Sequence, residues 1–170
     1  MNKNIVLIGL MGAGKSSVGK LLAEKLSYDF IDTDEYIEKQ EQCAICDIFS
    51  NHGESYFRTL ETNLISKLSD TYGKIISTGG GSVENPENLN NLKKTGIVVY
   101  LKATPSILFE RIKADNTRPL LKNNNPLQTL ENLLQKREQN YLKANFVIDT
   151  TNKSITDITD EILRINNENN

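Results

Sequence analysis

Cysteine is scarce in this chain: Cys43 and Cys46 are its two cysteines, too few for the four ligands of a structural zinc site. Their C-x-x-C spacing lies in a stretch of helical periodicity away from any strand end, which argues against a redox motif and for two ordinary half-buried thiols. Long apolar runs are missing too. The N-terminal segment MNKNIVLIGLMGAGKSS has a short one that breaks off at glycines, so it reads as neither a signal peptide nor a transmembrane span, and a cytoplasmic protein without a membrane partner is expected. Nor is there a surplus of positive charge. With 20 Lys and Arg against 22 Asp and Glu the formal charge is -2, which speaks against nucleic acid as a main partner. No internal repeat is present, and 170 residues suit a single domain, 1–170, with one core.

Five short, apolar, β-branched runs are present, at 4–10, 29–32, 74–78, 97–101 and 146–148. Between them apolar residues recur at helical spacing, as in Val18, Leu21, Leu22 and Leu26, or Leu60, Leu64, Ile65 and Leu68. This alternation predicts an α/β domain with a mainly parallel sheet and ligands at the C-terminal strand ends. Residues 34–72 hold two or three helical stretches, more than one crossover needs, so a substrate-covering insertion is expected at about 33–61. Residues 113–126, KADNTRPLLKNNNP, are polar, Asn-rich and proline-interrupted, and read as a mobile lid carrying Arg118. Ser154 with Asp157 announces a last helix through Ile155, Ile158, Ile162 and Ile165, and the tail NNENN is expected to be disordered.

The segment Gly9-Leu10-Met11-Gly12-Ala13-Gly14-Lys15-Ser16 matches G-x-x-x-x-G-K-[ST] and stands between a strand and a helix, where that motif works. Its glycines let backbone N–H groups converge on the phosphates of ATP, Lys15 reaches the β/γ-phosphates and the Ser16 hydroxyl ligates Mg²⁺. Asp32 and Asp34 close the second strand two residues apart, so both carboxylates are expected on one side of it. One would hold the Mg²⁺ water shell while the other orients or deprotonates an accepting hydroxyl; alone, such a pair is also a common turn or helix cap. The run Thr78-Gly79-Gly80-Gly81 follows the third strand, where three glycines make sense if a ligand must touch the backbone, although a flexible turn would look the same. Arg58 and Arg137 could be solvated surface arginines, but two guanidinium forks beside an acidic pair point to a small carboxylated substrate. A GTPase-like switch is disfavoured: the D-x-x-G at 70–73 precedes a strand, and Ile155 stands where a guanine-reading aspartate would follow Asn152 and Lys153. Gluconate and nucleoside monophosphate kinases are the rivals within the kinases.

Taken together, GLMGAGKSS, DTD, GESYFR, TGGG, RPLL and the R-x-x-x-Y of Arg137 and Tyr141 closely resemble the shikimate kinase family, in matching order over nearly the whole chain. The resemblance implies a single-domain P-loop fold, similar to the nucleoside monophosphate kinases, with a five-stranded parallel sheet in the order 2-3-1-4-5. It implies transfer of the ATP γ-phosphoryl group, with Mg²⁺, to the 3-hydroxyl of shikimate by a monomer. Asp34, Arg58, Gly80 and Arg137, with Gly79 and Gly81 beside them, would bind shikimate, and Ile45, Phe49, Phe57 and Glu61 would wall the site. Gly12, Ala13, Gly14, Lys15, Ser16 and Ser17 would bind phosphates, and Ser16 and, through water, Asp32 would hold the metal. Lys15, Asp34 and Arg118 would be catalytic, with Arg111 flanking the adenine and a second adenine contact near Asn152 and Lys153. Two departures from the family pattern show: Gln139 in place of the usual proline, and GKSS in place of GKST.

Overall fold

The computed structural model describes residues 2–113 and 125–169. Five strands, β1 (Asn4–Ile8), β2 (Asp29–Asp32), β3 (Lys74–Ser77), β4 (Gly96–Lys102) and β5 (Phe146–Asp149), form one sheet in the order β2-β3-β1-β4-β5, with every neighbouring pair parallel. The order is the one that the family resemblance implies. Every residue of β1 is buried, because helices cover both faces of the central strands and an unbroken apolar run costs nothing there.

β1 stops two residues earlier than the apolar run to Leu10 suggests. Gly9 turns the chain out of the sheet at φ 147°, and a Cβ on it would lie 2.7 Å from the Leu101 carbonyl oxygen, so the strand cannot continue there. The other strand ends differ from expectation by a residue or less, apart from β4, which is one longer at each end.

Helix α1 (Lys15–Leu26) buries Val18, Gly19, Leu22 and Ala23. Three helices then fill the long connection before β3: α2 (Thr33–Glu41), α3 (Ile45–His52) and α4 (Glu54–Leu68). The tilted ring pair Phe49 and Phe57, centroids 5.0 Å apart, joins α3 to α4. Cys43 is half-buried in the turn before α3, but Cys46, in the first turn of that helix, is exposed rather than half-buried because it points away from the Ile48 side that packs inward. After β3 come a 3-10 turn (Ser82–Glu84), α5 (Pro86–Thr95), and, beyond β4, α6 (Pro105–Ile112) and α7 (Pro126–Tyr141). Most of the expected lid, including Arg118, lies outside the described residues.

The tail behaves otherwise than its polarity suggests. Helix α8 (Ile155–Asn169) takes in residues 166–169 of the tail expected to be disordered, with Asn170 outside the described residues, and Asn166 is 4% exposed. Ile158, Ile162 and Asn166 recur every four residues, so the buried face of α8 runs on beyond its isoleucines, and Lys3 Nζ donates to the Asn169 carbonyl at 2.9 Å. The start of α8 is the expected capping box: Asp157 Oδ2 accepts from the Ser154 N–H and hydroxyl at 3.0 and 2.6 Å. Among the described residues, no helix is long and apolar enough to cross a membrane.

Candidate active site

The loop between β1 and α1 lies at the C-terminal end of the sheet, as a phosphate cradle must. Gly12 adopts φ 80°, and a Cβ there would stand 2.8 Å from the Leu108 carbonyl oxygen of α6, so only glycine fits. Lys15 Nζ donates to the carbonyls of Gly9 (2.8 Å) and Leu10 (3.2 Å) and thus arches over its own loop. The Ser16 hydroxyl donates to Asp32 Oδ2 at 2.8 Å, and Ser77, set opposite Asp32 by the β2–β3 register, donates to the same oxygen at 3.1 Å.

Asp32 and Asp34 do come together, but not for the reason their spacing suggests. Asp32 ends β2, whereas Asp34 already belongs to α2, so strand parity cannot align them. Asp32 is the N-cap instead: its Oδ1 accepts from the N–H groups of Asp34 (3.1 Å) and Glu35 (3.4 Å). Thr33, fully buried between them, accepts from the Gly79 N–H at 3.0 Å and ties this helix start to the glycine triplet.

The triplet is tight rather than flexible. A Cβ on Gly79 would lie 2.6 Å from Asp34 Oδ1 and 3.0 Å from Glu61 Oε1, and one on Gly81 would run into the Arg58 guanidinium. Gly80 is different, since the nearest atoms, the Gly9 oxygen and the Tyr141 hydroxyl, would stay 3.6 Å away. Its carbonyl accepts from the Tyr141 hydroxyl at 2.5 Å. Asp34 Oδ1 and Glu61 Oε1 are both buried with no hydrogen-bond partner, which is costly unless something else meets them. Burial, aided by the charge of Asp32, pushes the Asp34 carboxyl up to about 6 against the pull of Lys15 and Arg58. Burial likewise pushes Glu61 up to about 7, although Arg58 Nη1 donates to its Oε2 at 2.9 Å. Arg58 also donates from Nε and Nη2 to Glu54 Oε1, at 3.3 and 3.1 Å. Arg137 Nε donates to Glu84 Oε1 at 2.7 Å. Phe57 is buried beside this group, Ile45 half-buried and Phe49 exposed.

A sequence model of the family described as shikimate kinase matches residues 11–166. The chain belongs to the shikimate kinase family. It is 46% identical over 162 residues to a shikimate kinase of Thermodesulfovibrio yellowstonii, covering 95% of this chain and 94% of that protein. The corresponding figures for the protein of Caldanaerobacter subterraneus subsp. tengcongensis are 42%, 95% and 95%. Among solved structures, shikimate kinase from Acinetobacter baumannii in complex with shikimate superposes with TM-score 0.92 at 39% identity, over 98% of this chain and 94% of that one. A gluconokinase from Sinorhizobium meliloti, at 19% identity and TM-score 0.62 over 98% of this chain and 93% of that one, shares the fold alone.

As a member of the shikimate kinase family the chain is a kinase, and the residues named for a nucleotide base fall on the other side of the loop. Arg111 donates from Nη2 to the Thr150 carbonyl (2.7 Å) and from Nη1 to the Thr150 hydroxyl (3.0 Å) and the Gly12 carbonyl (3.4 Å), bridging the phosphate loop to the chain after β5. Asn152 and Lys153 are exposed in that connection, with Lys153 Nζ held by Glu161 of α8 at 2.5 Å. Gln139, the departure from the family's usual proline, lies in an uninterrupted α7, so the helix itself carries Arg137 and Tyr141 to the site. Thr33, Ser77, Glu84 and Thr150 escaped sequence reasoning. Each acts through a contact at least 39 residues away, and a strand register or a neighbouring motif was the sole clue to any of them.

Proposed function

We propose that the chain transfers the γ-phosphoryl group of ATP to the 3-hydroxyl of shikimate, giving shikimate 3-phosphate and ADP. The observation that carries this reading is the buried, unpartnered Asp34 Oδ1, gathered around the glycine triplet with the Arg58 and Arg137 guanidinium groups and next to the Gly9 carbonyl of the phosphate loop. An acceptor hydroxyl donating to that oxygen would remove the cost of burying it, and Asp34 would orient the hydroxyl or take its proton. Arg58 and Arg137 would hold the carboxylate, with Gly79, Gly80 and Gly81 as the floor and Ile45, Phe49, Phe57 and Glu61 as the wall.

On the donor side the N–H groups of Gly12, Ala13, Gly14, Lys15, Ser16 and Ser17 would bind the phosphates, and Lys15 would swing from the Gly9 and Leu10 carbonyls onto the transferring group. The Ser16 hydroxyl and Asp32 Oδ2, hard oxygens 2.8 Å apart, suit Mg²⁺, which takes few protein ligands and keeps waters and phosphate oxygens. Held by these two oxygens, a bound Mg²⁺ would supply positive charge against the charge that develops on the transferring phosphoryl group. Among the described residues no cluster of three or more His, Cys, Asp or Glu side chains could hold a metal by itself, in keeping with that partial set. Arg111, Asn152 and Lys153 would flank the adenine, Arg118 would close from a lid at 113–126 onto the phosphates, and the insertion at 33–61 would cover the acceptor. The test offers shikimate, gluconate and AMP in parallel with ATP and Mg²⁺. ADP release with shikimate alone is expected, and comparable turnover of gluconate or AMP would overturn the assignment.

A further inference from the structure

The Arg137 side chain is 11% exposed, and a guanidinium keeps its charge wherever it is buried, so it needs an anion even when the site is empty. Glu84 supplies one. Its Oε1 takes the Nε–H of Arg137 at 2.7 Å while its Oε2 takes Lys136 Nζ at 2.5 Å, so both oxygens of the carboxylate are tied to α7. These cationic partners hold the Glu84 carboxyl below the ordinary glutamate value, although burial works the other way. Glu84 is also rigid at its other end, where the 3-10 turn bonds directly to the glycine triplet, Ser82 N–H to the Gly79 oxygen at 3.1 Å and Glu84 N–H to the Gly81 oxygen at 3.0 Å.

The choice of nitrogen is what matters. With Nε taken by Glu84, the Nη end is turned toward the glycine triplet: Nη1 lies 3.7 Å from where a Cβ on Gly80 would stand, and Arg137 also shares a hydrogen bond with the Tyr141 hydroxyl, which stands 3.6 Å from the same point. Arg58 contrasts with this, because its Nε and Nη2 edge rests on Glu54, whose side chain is 68% exposed. The two arginines therefore present different edges.

We propose that Glu84 is a positioning residue for the phosphoryl acceptor: it holds the Arg137 guanidinium by Nε so that the two Nη groups form an end-on fork for the acceptor's carboxylate. The role rests on the function proposed above. Because the device lies in the turn that forms the floor of the hollow, floor and fork move as one body, which lowers the ordering cost of binding.

Steady-state kinetics of Glu84→Gln and Glu84→Ala, with shikimate and ATP varied in turn, tests it. Glu84→Ala should raise KM for shikimate about tenfold, within the range of coupling for neighbours in one network, with kcat within about twofold of the parent. Glu84→Gln, which keeps an acceptor for Nε but not the charge, should fall between, and KM for ATP should stay unchanged in both. Lys136→Ala should behave like the parent enzyme, since that lysine is 65% exposed. An acceptor with a carboxamide in place of the carboxylate should be insensitive to residue 84. If Glu84→Ala does not fold, the Gln variant and the carboxamide comparison still decide. A KM for shikimate that is unchanged in Glu84→Gln would overturn the role, and a lower KM would make Glu84 a competing anion instead. A parent enzyme that does not turn over shikimate would overturn the substrate reading first, and this role with it.

Discussion

The phosphate loop and the acceptor hollow lie side by side, yet they are built in opposite ways. The loop is one contiguous segment whose working groups are backbone N–H, placed by glycine conformations and by the start of α1. The hollow is made of side chains from four distant places: Asp34 on α2, Arg58 and Glu61 on α4, the glycine triplet with Glu84 after β3, and Arg137 with Tyr141 on α7. Backbone donors carry no titration and cost no rotamer entropy. The side-chain hollow has to hold two carboxyls whose ordinary values burial has pushed up to about 6 and about 7. A site for a phosphate chain common to many enzymes can be local, whereas a site for one particular acceptor takes its specificity from long-range packing.

The sharpest way to break this contrast is on the donor side. Lys15→Ala should lower kcat by roughly 10²- to 10³-fold, since it removes a preorganised cation from the transferring phosphoryl group. A circular-dichroism melt should stay close to that of the parent, because the hydrogen bonds the lysine donates to the Gly9 and Leu10 carbonyls stay within its own loop. A loss of only a few-fold would mean that the loop does not hold the reacting phosphate.

On the acceptor side, Asp34→Asn keeps shape and removes charge, so kcat should fall by roughly 10²-fold with ATP affinity near normal. The pH profile sharpens the point. With its carboxyl raised to about 6, Asp34 is ionised above that pH and protonated below it, so kcat/KM for shikimate should rise toward pH 6 and flatten beyond. The Asn variant should lose that acidic limb; a limb that survives would belong to another group.

The smallest effect distinguishes neighbouring glycines. Gly79→Ala forces a methyl to within 2.6 Å of Asp34 Oδ1 and should cost about 1–3 kcal/mol in a denaturant titration, as overpacking does. Gly80→Ala, with nothing nearer than 3.6 Å, should cost less than about 1 kcal/mol. Equal costs would mean that the triplet is tight along its whole length.

Periodicity and motif alone reached the α/β class, the five strands and two or three helices before β3, and singled out the loop between β1 and α1, since each depends on residues close together in the chain. The family resemblance added the strand order, which the sheet has, and the proposed acceptor residues. Reasoning from local pattern failed wherever the cause was distant. Asp32 and Asp34 meet through an N-cap rather than along a strand, and the tail is helical as far as Asn169, with Asn166 buried against the body of the protein. Cys46 faces outward although its periodicity suggested shelter.

What the sequence by itself determined is the donor chemistry, because a glycine pattern followed by Lys15 and Ser16 specifies backbone geometry with no help from elsewhere. Only the tertiary structure decided the acceptor side. The carboxyl values of Asp34 and Glu61 arise from burial and from charges brought in by other elements, and the edge that Arg137 presents depends on Glu84, 53 residues away in the chain. Burial and charge proximity are properties of packed elements, and a linear pattern does not encode them residue by residue.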